Sequence, residues 1–243
     1  MKLIGVGVGP GDPELLTLAG LRVLRTADVV FVPVIAANEP GRAEAVVRAH
    51  LPDSTPRRLV FALSDPVDGP QQRRRRHWDE AAEQVAGHLR AHGGTVAFAT
   101  LGDPAVYSTF GHLAATVRGS LPEVVVETVP GITAMQAAAS AAGLALAEGS
   151  ETLTLLPLTR GTEGLSDVLG RRGTVVLYKG GRRLGEVREV IDAAGRLDDA
   201  VYAEHLGTPD AVVGRLSEVD VDSGPYLSTV IVPPSRGELG AQW

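Results

Sequence analysis

Short apolar runs, broken by glycine, proline and polar turns, recur along the whole chain. Residues 2–8 (KLIGVGV), 28–33 (DVVFVP), 57–63 (RRLVFAL), 94–99 (GTVAFA) and 123–129 (EVVVETV) are rich in β-branched and aromatic residues. Each is too short for a buried helix, so each is predicted to be a strand. Between them the apolar period lengthens. Leu15, Leu18, Leu21 and Val23/Leu24 keep helical spacing, residues 39–50 read as a second helix, and Trp78, Ala82, Val85 and Leu89 line one face of a long third helix. Residues 65–70 read as a loop. Thr133 and Gln136 have the spacing of a capping box and open an alanine-rich helix to about Ala142. Residues 152–158, 173–178, 199–204, 211–215 and 226–232 are further strands, with a helix over 184–194 and a turn at Gly207-Thr208. Strands and helices alternate in the first half, and strands crowd together near the end. The predicted fold class is therefore α/β, as two α/β domains, 1–119 and 120–243, with a ligand cleft between them.

The stretch from Thr100 to Phe110 (TLGDPAVYSTF) follows a buried strand. Gly102 allows a tight turn, Asp103 is a good N-cap, and Pro104 has its φ preset for a first helical turn. A strand, a turn and a helix start with free N–H groups beside one carboxylate is the place where open α/β sheets bind ligands. Locally the pattern leaves two roles open for Asp103, a helix cap or a ligand-binding carboxylate. Asp12 and Pro13 repeat the device after the first strand.

The first glycine loop departs from a dinucleotide fingerprint, because Gly5-x-Gly7-x-x-Pro10 ends in proline. Val32-Pro33-Val34 stands where an acidic ribose binder would be needed. No Gly-Lys-Ser/Thr occurs, which excludes a P-loop, and carboxylates at both helix starts oppose a phosphate there.

Composition narrows the chemistry. The 243 residues can bury one large or two medium cores. Cysteine is absent, which removes disulfides, thiolate metal sites and a cysteine nucleophile. The N-terminus runs straight into a strand without a signal-peptide pattern, and no apolar run reaches about 18 residues, so a cytoplasmic location is expected. A net charge of −6 gives no reason to expect nucleic acid, and without such an apolar run no membrane partner is expected. Of 23 basic residues only Lys2 and Lys179 are lysine. Arginine forks suit a polycarboxylate ligand, and a general preference for arginine explains the bias equally well. Arg73-Arg74-Arg75-Arg76 reads as a solvated helix face or as an electropositive rim. His88 and His92, four apart, lack the partner of a zinc motif and read as a solvent-facing pair, and no metal is expected.

Four motifs in order resemble the tetrapyrrole (corrin/porphyrin) methylase family. They are Gly5-Val6-Gly7-Val8-Gly9-Pro10-Gly11-Asp12-Pro13-Glu14-Leu15-Leu16-Thr17, the Gly102-Asp103-Pro104 loop, Val129-Pro130-Gly131-Ile132-Thr133-Ala134, and Val175-Val176-Leu177-Tyr178-Lys179-Gly180, followed by the Gly207-Thr208 turn. The run Leu101 to Phe110 and the tail Gly224-Pro225-Tyr226-Leu227-Ser228-Thr229 look most like the branch acting at C20 of precorrin-2. The resemblance implies S-adenosylmethionine bound between two α/β domains of a homodimer, with the N-terminal domain on the tetrapyrrole side. Its implied contacts are Pro10, Leu101, Gly102, Asp103, Val106, Thr133, Ala134, Lys179 and Gly207. Lys179 stands where relatives often have methionine. Tyr107, placed about one helical turn past the loop, is a candidate for orienting substrate or a packed aromatic. The resemblance leaves open whether the substrate carries cobalt, and which base removes the C20 proton. A methylase acting at another carbon and a non-catalytic tetrapyrrole-binding protein are the alternatives.

Overall fold

Five parallel strands form the first sheet: β1 (Lys2–Gly7), β2 (Val29–Val34), β3 (Arg57–Val60), β4 (Thr95–Thr100) and β5 (Val125–Val129), in the order β3-β2-β4-β1-β5. The structure is a computed structural model that describes residues 1–61, 71–219 and 222–236, with the backbone alone for 71–74. The loop expected over 65–70 lies outside the described residues.

Successive strand residues point to opposite faces, and both faces are covered, which is why these strands read as nearly unbroken apolar runs. Ile4, Val6, Val8, Val32, Ala97 and Ala99 pack against Leu24 of α1 (Leu18–Thr26) and Val46 and Val47 of α2 (Arg42–His50). Leu3, Phe31, Leu59, Val96 and Phe98 pack on the other side against α3 (Gln71–His92) and α4 (Phe110–Ser120). Gly5 is the exception on that face: a Cβ there would lie 2.6 Å from the ring of Phe110. The glycine lets α4 settle onto β1, and burying Phe110 contributes about 1.5–3 kcal/mol.

The second sheet is mixed. β6 (Leu153–Pro157) runs parallel to β7 (Thr174–Tyr178), and β10 (Ser228–Val232) lies antiparallel between β7 and β8 (Val201–Glu204). β9 (Val212–Arg215) closes the edge, giving the order β6-β7-β10-β8-β9. One face carries α6 (Leu165–Leu169) and α7 (Leu184–Ala193). The other carries α5 (Ala134–Ala142), whose Ala138 and Ala139 lie against Val176, Ala203 and Ile231.

The chain divides into two compact units after Thr133. The division falls later than 119 because β5 joins the first sheet beside β1. Two local expectations are corrected. No α-helix starts at Pro104: α4 begins at Phe110 with Thr109 in the N-cap position, and residues 104–109 form turns. Likewise Asp12 caps a 3₁₀ turn, Pro13–Leu15, and Thr17 caps α1 by accepting the Gly20 N–H at 3.0 Å.

Candidate active site

In the first sheet β1 and β4 are neighbours, but the chain leaves them in opposite directions. After β1 it passes through α1 to β2, and after β4 it passes through α4 to β5 on the other side of β1. The two exit loops part at this switch point, which opens a crevice beyond the strand ends. Two backbone bonds bridge its floor. Gly102 donates its N–H to Gly9 O at 2.7 Å, and Gly9 donates to Gly102 O at 3.3 Å. Both glycines have positive φ, 80° at Gly9 and 70° at Gly102.

A third loop, after β5, closes on the same point. A Cβ on Gly7 would stand 2.6 Å from Gly102 O, and one on Gly131 would overlap that oxygen and the backbone of Gly7. Three glycines from three strand ends thus bring their main chains into contact. Around Gly102 itself a Cβ would meet nothing within 4 Å.

Asp103 ties these loops together. Its Oδ1 accepts the Ala105 N–H at 2.7 Å, and its Oδ2 accepts the Gly131 N–H at 2.9 Å. The cap is therefore real but belongs to a turn, and the other oxygen cross-links the β4 and β5 loops. A carboxylate oxygen has a second lone pair, so both oxygens keep capacity for a ligand donor. Leu101 and Val106 flank Asp103, half-buried, while Pro10 and Thr133 are buried on the adjoining loops.

Tyr107 lies in the loop, not on the helix, with φ 49° and the residue 41% exposed. Tyr107 and Phe110 therefore do not share a helix face, since α4 starts at Phe110. Phe110 stacks on Phe98 at 6.0 Å in the core, and Ser108 Oγ accepts the Phe110 N–H at 3.1 Å. Burial pushes the Tyr107 phenol above its ordinary pKa.

In the second unit β7 and β8 both run antiparallel to β10, so their C-terminal ends share one end of the sheet. Lys179 follows β7 with φ 62°, and Gly207 follows β8, exposed, with φ 77°. Ala134 opens α5, whose next residue, Met135, donates its N–H to Tyr178 Oη at 3.2 Å. Among the described residues Tyr107, Lys179 and His205 (φ 52°) are the non-glycine residues with positive φ. Lys179 and His205 directly follow the ends of β7 and β8, and Tyr107 lies in the loop between β4 and α4. Such conformations cost about 1–3 kcal/mol each and gather at functional sites. His205 was missed from sequence, where the neighbouring Gly207 turn was its only signal. His205 O accepts from Thr208 N–H at 3.1 Å.

Of the arginine run, Arg75 and Arg76 are exposed and Arg76 pairs with Glu80 at 2.8 Å, as on a solvated helix face. The side chains of Arg73 and Arg74 lie outside the description. His88 is not solvent-facing as expected: it is half-buried against Phe31, with Nδ1 3.2 Å from the Arg57 guanidinium.

A parallel sheet with a glycine-lined switch point, tied by one carboxylate and followed by a mixed sheet, defines an α/β protein. The model of the tetrapyrrole (corrin/porphyrin) methylases matches residues 2–220, and the chain belongs to that family. It is 38% identical over 237 residues to a precorrin-2 C(20)-methyltransferase of a Sinorhizobium species, covering 96% of this chain and 95% of that one. It is 32% identical to a probable cobalt-precorrin-2 C(20)-methyltransferase of Methanocaldococcus jannaschii, covering 95% of each. Among solved structures it is similar to the uroporphyrin-III C-methyltransferase of Thermus thermophilus complexed with S-adenosyl homocysteine. That match has a TM-score of 0.64 and 26% identity, over 95% of this chain and 97% of the other.

Proposed function

We propose that the chain is an S-adenosylmethionine-dependent C-methyltransferase of cobalamin biosynthesis, methylating C20 of precorrin-2 to give precorrin-3A. One observation carries the reading. The Gly9, Gly102, Asp103 and Gly131 constellation is built at a switch point, in a chain 38% identical to a relative named for that reaction.

The residues present fit the cofactor. Asp103 keeps lone pairs for ribose hydroxyls or an ammonium group, the space beside Gly102 is open, and the surrounding main chain can approach an adenosyl moiety closely. Pro10, Leu101, Val106 and Thr133 complete this set in the first unit. The parts of Ala134, Lys179 and Gly207 are proposed on the resemblance.

When bound, S-adenosylmethionine supplies an electrophilic methyl group on a sulfonium. The task of the chain is then to hold donor and acceptor carbon in line, about 3–3.5 Å apart. The three-glycine contact holds the loops together there, where a misplacement of about 1 Å can cost about 10²-fold in rate. Tyr107, its phenol held protonated, is suited to donate a hydrogen bond that orients the tetrapyrrole and not to act as a base. A homodimer belongs to this reading on the resemblance, and a cytoplasmic location on the sequence pattern. Among the described residues no helix is long and apolar enough to cross a membrane.

Metal-free and cobalt-bearing substrates offered in parallel with methyl-¹³C cofactor test the proposal, with the product read by NMR. One label at C20 is expected. A label at C11, C17 or a pyrrole carbon rejects the regiochemistry, and no transfer to any tetrapyrrole rejects the enzyme. The cobalt-named relative makes cobalt-precorrin-2 the second reading, and preference for the cobalt substrate would establish it.

A further inference from the structure

The segment Tyr107-Ser108-Thr109-Phe110 comes back beside the strand that the chain has just left. Along β4, Val96, Phe98 and Thr100 are two apart and so face one side of the sheet. On that side Phe98 stacks with Phe110, ring centroids 6.0 Å apart. One rung further on, Thr100 Oγ1 and Ser108 Oγ lie 2.9 Å apart and share a hydrogen bond. Two residues at the strand end thus pair with two of the returning chain, in opposite order.

The hydroxyl pair also starts the helix. Thr109 stands in the N-cap position of α4, but its side chain makes no cap bond. Ser108 supplies one instead, its Oγ accepting the Phe110 N–H at 3.1 Å. Thr100, the last residue of β4, is 4% exposed, so its hydroxyl needs a partner within the protein, and Ser108 provides it.

Tyr107 directly precedes Ser108 and has φ 49°. A tyrosine in the left-handed region costs free energy and persists where its surroundings over-determine it. Here the residue after it is fixed to the strand end through Ser108. The residues before it belong to the turn around Asp103, where Val106 donates its N–H to Asp103 O at 3.3 Å. The loop therefore has two anchors. Asp103 ties its first half to the Gly131 loop, and the hydroxyl pair ties its second half to β4. We infer that Thr100 and Ser108 are positioning residues, which hold Tyr107 in its left-handed conformation and so aim its phenol at the tetrapyrrole. The tetrapyrrole end of this inference rests on the function proposed above.

The test uses the full chain labelled with 3-fluorotyrosine. Its four tyrosines, Tyr107, Tyr178, Tyr202 and Tyr226, give four ¹⁹F resonances, and Tyr107→Phe assigns one by removing it. Thr100→Val keeps the branched shape and leaves the Ser108 cap in place, so it breaks the hydroxyl pair alone. It is expected to shift or broaden the Tyr107 resonance and to leave the other three in place. Thr100→Ser, which keeps a hydroxyl, should restore the wild-type spectrum. Should Thr100→Val melt early, Ser108→Ala reads the same resonance from the half-buried side of the pair. In parallel, uroporphyrin, a stable octacarboxylate tetrapyrrole, is titrated by its Soret band and S-adenosylmethionine by calorimetry. Thr100→Val should weaken uroporphyrin binding by about fivefold, the contribution of one oriented hydrogen bond. S-adenosylmethionine affinity should stay unchanged, because Asp103 keeps both of its partners. A Tyr107 resonance that moves in neither variant overturns the inference. A moved resonance with unchanged uroporphyrin affinity overturns the part given to the phenol. A wild type that binds neither molecule counts against the proposed function instead, and the fluorine spectra still decide whether the hydroxyl pair holds Tyr107.

Discussion

Asp103 and Gly131 are joined across two strand ends: Oδ2 of the aspartate accepts the glycine N–H at 2.9 Å, 28 positions along the chain. The bond works only because Gly131 has no side chain, since a Cβ there would overlap Gly102 O. A capping residue thereby becomes a clamp between the β4 and β5 loops.

Asp103→Ala should therefore have two effects. Calorimetry should show S-adenosylmethionine binding weakened by about 1–3 kcal/mol, and thermal melting should start earlier because two N–H groups lose their acceptor. Normal affinity with a lowered melting temperature would reduce Asp103 to a structural clamp.

The glycines should separate by mechanism. Gly7→Ala forces a Cβ to 2.6 Å from Gly102 O and Gly131 N, so about 1–3 kcal/mol of stability and most cofactor affinity should be lost together. Gly102→Ala meets no atom within 4 Å and carries only the cost of a positive φ, about 1–2 kcal/mol. Urea unfolding of both variants, with cofactor titrations, checks the difference. Equal losses of affinity without loss of stability at Gly7 would contradict steric closure.

Tyr107→Phe addresses the strained loop. Burial raises the phenol above its ordinary value of about 10, so it is protonated throughout the neutral range. The variant should raise the KM for tetrapyrrole and leave the shape of the pH–rate profile between about pH 6 and 9 unchanged. A limb that disappears from the profile would make Tyr107 a titrating base.

Glu44 is a structural acid on α2, fully buried and held by two arginines. Arg58 donates to it through Nε at 2.6 Å and Nη2 at 3.0 Å, and Arg48 donates through Nε at 2.8 Å. The Arg58 hydrogen bonds hold its carboxyl below the usual range, against the opposing effect of burial. A depressed folded pKa means that this stabilisation is present above the unfolded value, about 4.3, and is lost as pH falls through the folded one. Glu44→Gln should cost up to about 3 kcal/mol at pH 7, the low end for a broken buried pair because both arginines reach solvent. Its deficit against wild type should shrink in acid. A deficit constant from pH 7 to pH 3 would show that charge plays no part.

The sequence by itself determined the ten strands among the described residues, most of the helices there and the motif loops. Strands buried on both faces leave unbroken apolar runs, and turns need glycine and proline for reasons local to the backbone. Pro13 and Pro104 misled for the same reason: proline presets one φ angle but cannot show how many residues follow before a helix starts. Tyr107 takes a positive φ, which no α-helix accommodates, and α4 starts only at Phe110. α6 has five residues and buries Leu165 and Leu169 alone, too little for a periodic signal.

Only the tertiary structure decided which loops meet. Strand order places β1 between β4 and β5, and that order alone brings Gly7, Gly102 and Gly131 into contact and gives Asp103 its second partner. The same holds for Glu44, which as sequence is one more polar residue on a helix. These contacts join residues distant along the chain, and no local pattern of hydrophobic and polar positions records them, because each depends on how separate elements pack.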